Sequence, residues 1–210
     1  MKKVFKIFAL AAVALSVTTF VGCKDEEKEE ENNTPTGNTE NLPTSFEYNF
    51  DDSKLDGWTL IDADGDGYKF QALSSAINGT GSGHNGSADA AASASYVNGI
   101  GELTPDNYMV SQKVYIEDGA TLKWFVAAQD AGYPAEHYAV EIGNLENGTF
   151  TKTATVFEET FSGNSKDQTP WFERTVNLSE YKGQSVYIAF RHYNCTDNFW
   201  LILDDISLTK

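Results

Sequence analysis

Cysteine is almost missing from this chain. Two residues in 210, Cys23 and Cys195, cannot build the multi-disulfide framework that holds many small exported domains together. Basic side chains are scarce as well: 15 Lys and Arg stand against 31 Asp and Glu, a formal charge of −16. Non-specific nucleic-acid binding rests on clustered Lys and Arg set against phosphates, so a nucleic-acid partner is excluded, and cations suit the surface better. The three histidines, His84, His137 and His192, fall in no H-E-x-x-H segment and at no zinc-like spacing, and they read as packed or rim residues. No G-x-S-x-G elbow supports a serine hydrolase. Long helical stripes and internal repeats are also missing. What is left is a disulfide-free fold held by its own core, with or without a metal.

The ends carry the information on location. A short positive stretch, Met1 to Lys6, precedes the apolar run Ile7 to Phe20, which is too short to cross a bilayer as a stable helix and reads as a signal peptide over residues 1–22. The segment Phe20-Val21-Gly22-Cys23 resembles the lipobox of bacterial lipoproteins, with Phe where that family usually has Leu. The resemblance implies that Cys23 becomes the first mature residue and carries acyl chains, which would anchor it to a membrane at about 0.8 kcal/mol per buried methylene. Residues 23–43 continue with Lys24 to Glu31, rich in Glu, and then with Asn, Thr, Gly and Pro. That composition predicts a solvated tether. The acidic run is similar to the surface-export signal of lipoproteins in the Bacteroides group; a plain spacer fits it equally. Removing residues 1–22 deletes three lysines and no acid, which takes the formal charge from −16 to −19.

Residues 44–210 are long enough for one domain with a real core. Their apolar pattern has period two, in Thr121 to Val126, His137 to Ile142 and Ser185 to Arg191, as half-solvated antiparallel strands require. The nearly all-apolar run Phe199 to Leu203 predicts a central strand. Asp118-Gly119, Glu146-Asn147-Gly148, Ser162-Gly163-Asn164 and Lys182-Gly183 supply turns. The Ala-rich stretch Ala88 to Ser95 is helix-permissive by propensity alone, but it lacks a helical stripe and reads as strand. The expected fold is an all-β antiparallel sandwich, a jelly roll.

Three motifs bear on chemistry. Asp62-Ala63-Asp64-Gly65-Asp66-Gly67 places alternate carboxylates on a glycine-turned loop, which suits calcium with its six to eight oxygen ligands. Leu73 stands where an EF-hand needs Glu, so the choice is between a calcium loop of another kind and a solvated acidic turn. Gly81-Ser82-Gly83-His84-Asn85-Gly86 spells G-x-G-x-x-G, yet no βαβ pattern surrounds it, and a dinucleotide site is excluded. Among the aromatics, Trp124 and Trp200 alternate into the core. Trp171, after Pro170, and Tyr133, before Pro134, are the surface candidates for stacking on a ligand. Cys195 reads as a small core residue. The many carboxylates also admit a glycosidase pair, whose test is a distance that sequence does not supply.

Several stretches in order resemble the cleaved-adhesin, or choice-of-anchor J, domains known as adhesin modules of gingipains. They are Phe46-Glu47 with Phe50, Gly57 to Gly67, His84 to Asp89, Leu103 to Ser111, Val186 to His192, and Leu203 to Ile206. The resemblance implies a galactose-binding-like jelly roll, structural calcium, no catalysis, and adhesion to an extracellular host protein or glycan from the cell surface. It also implies a second calcium set, nominating Glu47 and Asp205, with Asp89. By alternation one of Asp204 and Asp205 points inward, where a charge needs a partner, either calcium or Arg191. Rival readings are a carbohydrate-binding accessory lipoprotein of a glycan-uptake system and a surface hydrolase.

Overall fold

The alternation around Trp124 becomes the strand Thr121–Ala128, in which Leu122, Trp124 and Val126 are fully buried while Thr121, Lys123 and Phe125 stay partly exposed. This is a computed structural model describing residues 41–76, 83–161 and 171–210. The expected leader, Cys23, most of the tether and the turn at residues 162–164 lie outside the described residues.

Two antiparallel sheets carry the domain. The first runs Phe172–Asn177, Thr121–Ala128, Trp200–Thr209, Ala91–Ala94, Gln71–Ala72, with Phe46–Tyr48 also paired to Trp200–Thr209. The second runs Thr149–Thr160, His137–Glu146, Ser185–Tyr193, Asp106–Val110, Thr59–Asp62, with Val114–Tyr115 on Ser185–Tyr193. Chain neighbours are mostly not sheet neighbours, which is the crossing connectivity of a jelly roll. Asn147 and Gly148, both at positive φ (50° and 79°), turn the hairpin between His137–Glu146 and Thr149–Thr160, a conformation that Asn-Gly adopts at little cost.

Leu122, Trp124, Val126 and Leu203 from the first sheet meet Met109, Tyr138, Val140, Ile142, Ile188 and Phe190 from the second in one core. Trp124 sits among Tyr138, Phe157 and Phe190, with ring centroids 5.1–6.4 Å away at steep angles, the edge-to-face geometry that aromatic quadrupoles favour. Its Nε1 donates to the Tyr138 hydroxyl at 3.0 Å, which donates to Glu159 at 2.8 Å. Glu159 is in turn held by Arg174 at 2.9 and 3.0 Å.

The strand Ala91–Ala94 is buried on both faces. Ala91 joins the main core, while Ala92 and Ala94 join a second cluster with Leu73, Ala127, Trp200 and Ile202 on the other side of the first sheet. Alanine is the residue that fits there, because both sides of the strand are already covered. The last strand is longer than the apolar run predicts, Trp200–Thr209, and central as expected. A bulge between Asp204 and Ser207, with Asp205 at φ 46°, resets its alternation.

Candidate cation and ligand-binding sites

The strand Thr59–Asp62 delivers the first acidic loop. Asp62 accepts from the Gly65 and Gly67 amides at 2.8 and 2.9 Å, Asp64 from Asp106 N at 3.0 Å, and Asp66 from Tyr68 N at 2.7 Å. The three carboxylates each bring an oxygen within 4.8 Å of the others. Such closeness splits the pair Asp62 and Asp64. A hydrogen bond from Asp64 chiefly lowers the Asp62 pKa, while burial, followed by the Asp62 carboxylate, raises that of Asp64. A cation held between the carboxylates would relieve that conflict.

The second expected set, Glu47, Asp89 and Asp205, is not brought together. Glu47 lies exposed on its strand opposite Ser207. The Asp89 carboxylate is consumed by Ser74 N at 2.9 Å, Ala90 N at 2.9 Å and the Ser74 hydroxyl. Asp205 pairs outward with His84 Nδ1 at 2.7 Å. The inward acid is Asp204, fully buried, and burial pushes its pKa up to about 6. Nor is Arg191 its partner: that guanidinium forks onto Asp106 at 2.7 and 2.9 Å between the rings of Tyr108 and Tyr193. Arg191 and Lys152 also face the buried Glu141 carboxylate, at 3.7 and 3.1 Å.

A different oxygen cluster forms instead. Ser87 Oγ touches Asp51 Oδ1 and the Asp89 carbonyl, both at 2.9 Å. A Cβ on Gly83 would lie 2.1 Å from the Asp89 carbonyl, 2.3 Å from Asp204 Oδ2 and 2.6 Å from Ser87 Oγ. Three oxygens, two from the Ser87 to Asp89 segment and one from Asp204, therefore converge beside a residue with no side chain. The set holds only hard oxygen donors, which suits calcium.

The aromatic candidates separate. Trp171 is partly buried against the second hydrophobic cluster and meets the His84 ring edge-on at 5.9 Å. Tyr133 is 58% exposed and lines a cavity of about 280 Å³ with Tyr96, Asn98, Asp197, Asn198 and Phe199. A turn closed by Tyr133 N on the Asp130 carbonyl at 3.2 Å presents its ring. Across the cavity Tyr96 stacks on Phe199 with centroids 5.6 Å apart. Asn198 ties the two loops together by accepting from Ala135 N at 3.1 Å. An exposed ring over a pocket edged by amides and a carboxylate can stack on an apolar ring face while hydrogen-bonding its rim.

Residues 44–208 match the model of the Cleaved Adhesin Domain. The chain belongs to the cleaved adhesin family. Hemagglutinin A of Porphyromonas gingivalis is 39% identical over 191 residues, covering 84% of this chain and 7% of its own length. Lys-gingipain W83 of the same organism is 39% identical over 165 residues, covering 73% and 9%. The chain thus spans less than a tenth of the length of these relatives. Among solved structures, the K3 cleaved adhesin domain of its Lys-gingipain aligns with TM-score 0.68 and 34% identity over 78% of this chain and 97% of that one. The K1 domain aligns with TM-score 0.67 and 33% identity over 79% and 98%.

In this cleaved adhesin domain one group escaped the sequence reading. His192 and Glu136 are fully buried, and with Cys195 they turn three donor atoms toward one another: Nε2 to Oε2 at 2.9 Å, Nε2 to Sγ at 3.1 Å, Oε2 to Sγ at 3.4 Å. Burial, and then the Glu136 charge, raises the Cys195 thiol well above its ordinary range, so as it stands the thiol is a poor nucleophile. The available signal was the spacing His192-x-x-Cys195; Glu136 lies 56 residues before His192 and gave none. His137 sits at the sheet rim as expected, on Thr160 and Glu158. The segment Gly83 to Gly86 leads through a 3-10 turn into a strand rather than a long helix, which agrees with excluding a dinucleotide.

Proposed function

We propose that this domain is a non-catalytic recognition module that takes a glycan in the Tyr133 pocket, displayed at the cell surface on the acidic tether and the lipid of Cys23. The observation that carries the reading is the exposed Tyr133 ring lining a cavity together with Asn98 and Asp197. Pyranose rings offer an apolar face and a hydroxyl rim, and that pairing is what the pocket can meet. Membership in an adhesin family supports binding without turnover. The proposal includes structural calcium at two places: the Asp62, Asp64 and Asp66 loop, and the oxygens of Asp51, Ser87, Asp204 and the Asp89 carbonyl beside Gly83. Calcium there would neutralise clustered carboxylates and tie loops to the sheet ends.

A glycan panel probed with the whole chain in calcium tests this. The parent is expected to retain at least one glycan class, and Tyr133→Ala to bind it about tenfold more weakly, the equivalent of about 1.4 kcal/mol for a lost stacking ring. The melting temperature should stay put, because an exposed ring contributes little to folding. Equal binding by parent and variant would sink the pocket assignment.

A further inference from the structure

We infer that Glu136, His192 and Cys195 form a binding site for a zinc-class divalent ion, separate from the oxygen clusters. His192 comes from the strand Ser185–Tyr193, Cys195 from the loop that follows, and Glu136 from the residue before His137–Glu146. Their donor atoms, one nitrogen, one sulfur and one carboxylate oxygen, are separated by 2.9, 3.1 and 3.4 Å. Tetrahedral zinc with bonds of about 2.0–2.3 Å sets its ligands about 3.3–3.6 Å apart, so opening the trio by a few tenths of an ångström seats the ion. Calcium does not fit, because it takes oxygen donors alone.

The surroundings support His192 and Glu136 as a metal site requires. Nδ1 of His192 lies 2.8 Å from Ser93 Oγ, which can accept its proton and leave Nε2 free to bind. The second Glu136 oxygen is fixed by Ser95 Oγ and by Phe199 N, both at 2.9 Å. These are the outer contacts that orient ligating imidazoles and carboxylates. Charge points the same way. Among the described residues the ion-pair partner of buried Glu136 is His192 alone; a divalent ion with one thiolate, one carboxylate and a neutral imidazole leaves the site uncharged. Cys195 also borders a cavity of about 330 Å³ with Thr104, Pro105, Asn194 and Thr196, which gives the ion an entry path and room for a water as fourth ligand.

The test uses the whole chain carrying Cys23→Ser, so that Cys195 is the single thiol. The protein is stripped of metal, kept reduced and supplied with excess calcium to fill the oxygen sites. Added Co²⁺ should give a thiolate-to-cobalt charge-transfer band in the near ultraviolet, and Zn²⁺ should abolish it at one equivalent. Cys195→Ser should erase the band and weaken zinc binding at least about a hundredfold, more than losing an outer contact costs. Glu136→Gln, which keeps the shape and removes the charge, should weaken it at least about tenfold. A folded protein with no charge-transfer band, or zinc affinity unchanged in Cys195→Ser, overturns the site and assigns any bound zinc to surface pairs such as His137 and Glu158.

Discussion

Trp124→Ala is expected to cost the domain about 3–5 kcal/mol, a large part of the 5–15 kcal/mol typical of a folded domain. Trp124 is fully buried where the two sheets meet and packs on Tyr138, Phe157 and Phe190. Removing it opens a cavity that the rings of the facing sheet cannot collapse to fill, and it takes away the Nε1 donor to the Tyr138 hydroxyl. Urea unfolding reads the loss as a lower midpoint at an unchanged slope. Trp124→Phe keeps a ring and loses the donor, so it should cost clearly less, about 1–3 kcal/mol. An alanine variant within 1 kcal/mol of the parent would mean that the main core lies elsewhere.

Gly83→Ala should be the next most damaging and should also remove the calcium-dependent stability of the oxygen cluster beside it. The added methyl would lie 2.1 Å from the Asp89 carbonyl, which belongs to the backbone leading into Ala91–Ala94. Backbone cannot swing aside as a long side chain does, so a cost of about 1–3 kcal/mol or more is expected. In the parent, a chelator should lower Tm by about 5–10 °C. That follows from about 2.7 kcal/mol of ligand linkage at a hundredfold excess and about 2–4 °C per kcal/mol for a domain of this size. In Gly83→Ala the share of that shift that comes from the cluster beside Gly83 should vanish. Gly119→Ala is the control: nothing lies within 4 Å of its added methyl, so it bears the strain of a positive φ of 83°, about 1–2 kcal/mol. A parent whose Tm ignores chelator would reduce both oxygen clusters to hydrogen-bonded turns.

Local pattern carried the fold well and the site unevenly. Alternation through Thr121 to Val126 and Ser185 to Arg191 identified both strands and sent Trp124 inward. Only the middle of the Ala88 to Ser95 stretch, Ala91–Ala94, is strand; it was legible because alanine without a helical stripe suits a strand covered on both faces. Alternation stopped being informative at the Asp204 bulge. With Asp205 at φ 46°, a period-two rule does not say which acid turns in, and the buried one is Asp204. The acidic loop was legible because its three carboxylates lie within five residues. The cluster beside Gly83 was hidden, since it draws on Asp51, Ser87, Asp89 and Asp204, including a backbone carbonyl that has no sequence signature. Glu136 joins His192 and Cys195 through tertiary packing, for the same reason. Tyr133 could be picked out by the following proline, which marks a loop; Trp171 had the same kind of signal, yet a neighbouring cluster partly covers it.

The most direct test of the central claim is an NMR titration of the isotope-labelled protein, in calcium, with the tightest binder from the glycan panel. The account predicts saturable shift changes confined to Tyr96, Asn98, Tyr133 and the stretch Asp197 to Phe199. Changes centred instead on the sheet face of Tyr108, Arg191 and Tyr193, with the Tyr133 loop silent, would contradict it.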